Sequence, residues 1–226
     1  MYDSQILEAL PHYQAHKTFL PHIPKRFGEH GKKIFIIGES HYLPKEFDKQ
    51  ITAENWYTNP QNIYDFLSKD SVGWINTRGV IDYFSGPAKL ARGHRIFQNL
   101  DYAYNEVFNG ARLFESAVYF NYFQRPAEYE GGSIQVHKMD SQKALENLMG
   151  LNTILQPDLV IFTSTKAYKD FNNAPQESKS KLPVVESVPH PACAWWHKTS
   201  KNYGINSDGS SSTGKQKFQR IIKTLT

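Results

Sequence analysis

The feature that most constrains the fold is Ile34-Phe35-Ile36-Ile37, four apolar residues in a row between Lys32-Lys33 and Gly38. A strand with one wet face alternates apolar and polar residues, whereas an unbroken run reads as a strand covered on both faces. Three further segments read as strands: Ala117-Val118-Tyr119-Phe120 entering Asn121, Leu159-Val160-Ile161-Phe162 after Pro157-Asp158, and Val184-Val185-Glu186-Ser187-Val188 ending at Pro189-His190-Pro191. Helical spacing falls between them. It is carried by Ile96, Phe97, Leu100, Ala103, Tyr104 and Val107, and again by Ala144, Leu145, Leu148, Leu151 and Leu155. Phe218, Ile221, Ile222 and Leu225 repeat it near the end of the chain. This alternation predicts a three-layer α/β architecture: a central, mostly parallel four-stranded sheet flanked by helices.

Residues 43–82 mix Pro, Asn, Trp and Tyr without a sustained period, which predicts short helices and loops over one edge. Residues 201–213 are rich in Ser and Gly and read as a mobile surface loop. No repeat or linker interrupts the 226 residues, a length that suits one domain spanning 1–226. The single cysteine, Cys193, can form neither an intramolecular disulfide nor a cysteine-based zinc or iron–sulfur site within one chain. No stretch approaches the ~20 apolar residues that span a bilayer. The start of the chain, with Pro11, His12, His16 and Pro21, lacks the apolar centre of a signal peptide. A reducing cytoplasm is the expected location. The net charge of +4 is compatible with a polyanionic partner, and the 14% aromatic content can serve a core or a base-stacking surface.

In an open parallel sheet, ligands bind beyond the carboxyl ends of the strands. That rule selects Gly38-Glu39-Ser40-His41-Tyr42, Asn121-Tyr122-Phe123-Gln124-Arg125-Pro126, Thr163-Ser164-Thr165, and His190-Pro191-Ala192-Cys193-Ala194-Trp195-Trp196-His197. On their own, Asn121 can cap a turn, His190 can brace its Pro-rich turn, and Glu39 can lie solvated or pair with Arg125.

The order of these segments resembles the uracil-DNA glycosylase superfamily, and most closely its branch whose first motif begins Gly-Glu. The matching elements are a strand followed by Gly38-Glu39, a strand ending in Asn121 with Arg125-Pro126 after it, a Pro-Asp strand, and a strand followed by His190-Pro191 before a final helix. The resemblance runs from about Ile34 to the end. It implies hydrolysis of the N-glycosidic bond of a deaminated or damaged base in DNA, after the nucleotide has been rotated out of the stack, with no cofactor or metal. His190, Glu39 and Ser40 would be the catalytic set, with His190 donating to the base carbonyl. Asn121, Gly38, His41, Tyr42 and Phe84 would hold the base. Trp195, Trp196, His197 and Lys198 would contact nucleic acid, with Lys201 close behind. Two departures stand out: Ser40 occupies the place of a water-orienting Asp, and the branch's four cluster-binding cysteines are absent.

Two other readings follow from the same residues. A non-catalytic nucleic-acid or nucleotide-binding domain fits the loss of the Asp. A serine hydrolase would use Ser40 as nucleophile and His190 as base, but Glu186-Ser187-Val188-Pro189 holds no Asp before the histidine. A metal site from Glu39, His41 and His190 follows no spacing rule.

Overall fold

The run at Ile34 becomes an interior strand of the sheet. The computed structural model describes residues 2–28, 31–44, 51–65, 67–85 (84 and 85 by backbone alone), 95–128 and 131–224. Strand β1 (Ile34–Gly38) is buried along its whole length. It pairs in parallel with β2 (Val118–Asn121) on one side and β3 (Leu159–Phe162) on the other, and β4 (Val184–Ser187) extends the sheet past β3. The strand order is β2-β1-β3-β4. The register sets Gly38 against Asn121 and Phe162 against Ser187, so the carboxyl ends of the strands form one rim.

Two helices, α1 (Tyr2–Ala9) and α2 (Pro11–Ala15), precede β1. Between β1 and β2 lie α3 (Ala53–Thr58), α4 (Pro60–Tyr64), α5 (Lys69–Trp74), α6 (Thr77–Ser85) and α7 (Arg95–Asn105). Helix α8 (Lys138–Leu155) leads from β2 to β3, α9 (Thr165–Asn172) and α10 (Gln176–Lys179) lead to β4, and α11 (Gly214–Lys223) follows. Leu225, expected on the last helix, lies outside the described residues.

Neighbouring side chains of a strand point to opposite faces, and here both faces meet apolar helices. Phe35, Ile37, Phe120 and Phe162 share one core with Ile6 of α1 and Leu148 and Leu151 of α8. Ile34, Ile36, Tyr119 and Ile161 share the other with Phe97 and Leu100 of α7 and Phe218 and Ile222 of α11. The result is the three-layer α/β arrangement, and it explains why β1 tolerates no polar residue. Strand β4 lies at an edge with Val184 exposed, which is why Glu186 and Ser187 can interrupt its apolar run. The opposite edge is blunted by His22, which exchanges two backbone hydrogen bonds with Tyr119 of β2 at 2.9 and 3.0 Å.

Residues 43–82 do form short helices where they are described. The stretch 201–213 differs from the mobile loop expected. Antiparallel bridges join Thr199 to Thr213 and Ile205 to Ser211. Arg220 of α11 donates to Ser212 Oγ at 2.6 Å and to the Tyr203 carbonyl, tying the loop to the domain. None of the described helices is long and apolar enough to cross a membrane.

Candidate active site at the carboxyl rim of the sheet

In the strand order β2-β1-β3-β4 the chain leaves β1 toward one side and β3 toward the other, so the crevice between their carboxyl ends is the switch point of the sheet. Glu39 leaves β1 directly into it. Its Oε2 accepts a hydrogen bond of 2.6 Å from Ser164 Oγ, which follows β3 by two residues. Its Oε1 accepts another from Ser133 Oγ. Ser164 is also the N-cap of α9, accepting from Ala167 N at 3.2 Å, so a helix start holds the hydroxyl that orients the carboxylate.

The segments after β1 and β2 are zipped together by backbone. Tyr122 N donates to Gly38 O at 3.2 Å, Phe123 N to Glu39 O at 2.9 Å, and Ala127 N to His41 O at 2.7 Å. Beneath them Trp56 Nε1 donates to Gln124 O, and Gln124 Nε2 donates to the Asn121 carbonyl. Arg125 is buried and does not pair with Glu39. Its guanidinium grips both oxygens of Asp140 at 2.9 and 2.8 Å and meets Glu128 at 2.7 Å, tying the segment to α8. An Arg held by two carboxylates and several carbonyls in the interior is a structural brace.

Asn121 lies over Gly38. A Cβ added to Gly38 would come within 2.2 Å of Asn121 Oδ1 and 2.3 Å of Tyr119 Oη, so only glycine permits this approach. Asn121 Oδ1 accepts from Tyr119 Oη at 3.0 Å.

His190, at the end of the β4 segment, is half-buried. Its turn is clamped from three directions: Pro189 packs on Gly214 at the start of α11, Asn99 Nδ2 of α7 donates to Pro191 O at 2.7 Å, and Cys193 N donates to His190 O at 2.9 Å. The Ala192 amide donates to His190 Nδ1 at 3.3 Å. Burial lowers the pKa of the ring, against the opposing pull of the Glu39 charge, so the imidazole is neutral near pH 7. With Nδ1 acting as acceptor, the proton of the neutral ring sits on Nε2. Nε2 has no hydrogen-bond partner among the described residues, so it is a donor held ready. The Glu39 charge is near enough to oppose that pKa shift.

The other predicted site residues are distributed differently. Ser40 Oγ makes no side-chain hydrogen bond among the described residues, so no base is bonded to it. His41 turns into the interior: it shares a hydrogen bond of 2.9 Å with Thr77 Oγ1 and meets the ring of Phe19 edge-on, and burial lowers its pKa to about 4. Glu39, His41 and His190 therefore do not converge, and no group of three or more His, Cys, Asp or Glu among the described residues could hold a metal ion. Tyr42 is half-buried, bridged to Ala127 and edge-on to Trp74. The side chain of Phe84 lies outside the described residues. Trp195 is 51% exposed, and His197 and Lys198 are exposed beside it. Trp196 departs from its expected role in nucleic-acid contact, because its indole is wholly buried against Phe218 of α11.

No protein-family model and no curated protein matches this chain. A cavity of about 540 Å³ opens at the other end of the sheet, where Ile34 begins β1, with Arg26, Lys32, Tyr104, Phe108 and Arg112 on its walls. Glu115 and Ser116 line it too, and none of Glu39, Ser164, Asn121 or His190 does. Sequence reasoning gave no role to Ser133, Ser164 or Tyr119. Ser164 sits in a strand-end turn that was legible. Tyr119 is two residues before Asn121 on the same strand face, and Ser133, in Gly131-Gly132-Ser133, carries no signal.

Proposed function

We propose that this chain is an N-glycosyl hydrolase that removes a deaminated or damaged base from DNA, as its resemblance to the uracil-DNA glycosylase superfamily implies. The observation that carries the reading is the neutral His190, its Nε2–H unpartnered, coupled to a Glu39 carboxylate held by two serine hydroxyls. The ends of β2 and β4 are three strand spacings apart, about 14 Å.

In this mechanism the C1′–N bond breaks with its electron pair leaving on the base, and positive charge develops on the sugar. His190 Nε2–H donates to the base carbonyl as negative charge gathers there, the task of an oxyanion donor. Glu39 faces the cationic sugar and receives a proton from the water whose oxygen bonds to C1′. Ser133 and Ser164 fix the carboxylate so that no reorganisation accompanies the step. The exposed Trp195 stacks on a base, while His197, Lys198 and Lys201 meet phosphates. The single cysteine suits a reducing, cytoplasmic setting.

The test is incubation with oligonucleotides bearing one uracil, hypoxanthine or xanthine, followed by alkaline cleavage at abasic sites. Strand breaks at the modified position of at least one substrate are expected. Salt-dependent DNA binding with no base released from any of the three would replace this reading with that of a non-catalytic binding domain.

A further inference from the structure

The cavity at the amino end of the sheet combines three kinds of chemistry on its walls. Tyr104, on α7, and Phe108, just beyond it, supply two rings with centroids 4.6 Å apart and planes tilted by 43°. Arg26, Lys32 and Arg112 supply cations, and Glu115 and Ser116 supply a carboxylate and a hydroxyl. One wall is fixed from behind. Asp101 of α7 accepts from Arg112 Nε at 3.3 Å through one oxygen and from Leu113 N at 2.8 Å through the other. The Tyr104 hydroxyl shares a hydrogen bond of 3.3 Å with Ser116 Oγ, which donates to Leu113 O at 3.2 Å. Gly31 and Gly110 line the space with φ of 109° and 92°, so main chain rather than side chains borders it there.

We propose that this cavity binds a nucleoside monophosphate at a site separate from the rim. A simple inorganic anion has no use for the two rings and would be repelled by Glu115. A hydrocarbon has no use for the three cations. A mononucleotide uses all of them: its base lies against Tyr104 and Phe108, its phosphate charge is met by Arg26, Lys32 and Arg112, and a ribose hydroxyl or amino group donates to Glu115. A volume of about 540 Å³ falls within the range of small-molecule sites. None of Glu39, Asn121 or His190 lines the cavity, so the proposal does not rest on the glycosylase reading.

The test is a nuclear magnetic resonance titration of the full chain with AMP, GMP and UMP, with the matching nucleosides and inorganic phosphate as partial probes. At least one mononucleotide should move the backbone amides of Gly110, Arg112 and Ser116, and should bind at least about tenfold more tightly than its nucleoside or phosphate alone. Lys32 is exposed, so Lys32→Glu is expected to fold; it should weaken that mononucleotide about tenfold and leave the nucleoside unchanged. Phe108→Ala, with the thermal midpoint as folding control, should weaken nucleoside and mononucleotide alike by about tenfold. Phosphate binding as tightly as any mononucleotide would reduce the cavity to an anion site and overturn the proposal. Movement confined to the rim amides, no movement with any mononucleotide, or unchanged affinity in Lys32→Glu would overturn it as well, and none of these outcomes bears on base release at the rim.

Discussion

Whether a neutral imidazole donates or accepts at one nitrogen is decided by what the other nitrogen does. At His190 a backbone amide occupies Nδ1, and the burial that lowers the ring pKa keeps it neutral, so the free Nε2 carries the proton. Replacing His190 with Ala should therefore lower single-turnover base release by about a hundredfold or more, the loss typical of one oxyanion donor. His190→Gln keeps an N–H near the same place and should recover part of it. Equal rates for wild type and His190→Ala would remove His190 from the mechanism. The partners of Glu39 show where reading residues from sequence stops. A carboxylate after a buried strand is visible in Gly38-Glu39, but the serine that reaches it from position 133 is 94 residues away and carries no local mark.

At the scale of elements, the long periodic segments were legible because their patterns come from burial. Strands β1 and β3 had to be unbroken apolar runs since each meets a core on both faces, and α7, α8 and α11 show one apolar stripe each. Helices α2, α3 and α4 are too short to show such a stripe, and they close over one another through rings. His12 lies 4.5 Å from His16, and His16 stacks on Trp56 at 4.2 Å. Burial holds His16 and His41 down to about 4, and pushes His12 down as well. The unfolded chain binds protons at these sites near pH 6.5 and the folded chain does not, so their contribution is full above that pH and is lost as pH falls toward 4. By pH 5 the loss is about 2 kcal/mol each for His16 and His41. Urea unfolding between pH 7.5 and 4.5 should show the midpoint falling below about pH 6.5. A midpoint that does not change over this range would contradict the burial of neutral rings.

For the molecule as a whole, strand order decides what the site can be, and strand order is not written in any local pattern. Four strands and their turns could be read from the chain, but that β1 lies between β2 and β3 depends on how the two cores pack. The same packing sorted the predicted site residues. It left the Glu39 charge near enough to act on His190, laid Asn121 over Gly38, and sent His41 and Trp196 inward. His41 and Trp196 looked suited to ligand contact because they neighbour the right residues in sequence, and they failed because adjacent side chains leave a turn in different directions. The account depends on Asn121 and His190 serving one nucleobase between them. A nuclear magnetic resonance titration with free uracil, hypoxanthine and xanthine, following the Asn121 side-chain amide and the His190 imidazole together, tests this most directly. Both signals should move with at least one base and give a single dissociation constant; movement of only one, or of neither, would contradict the account.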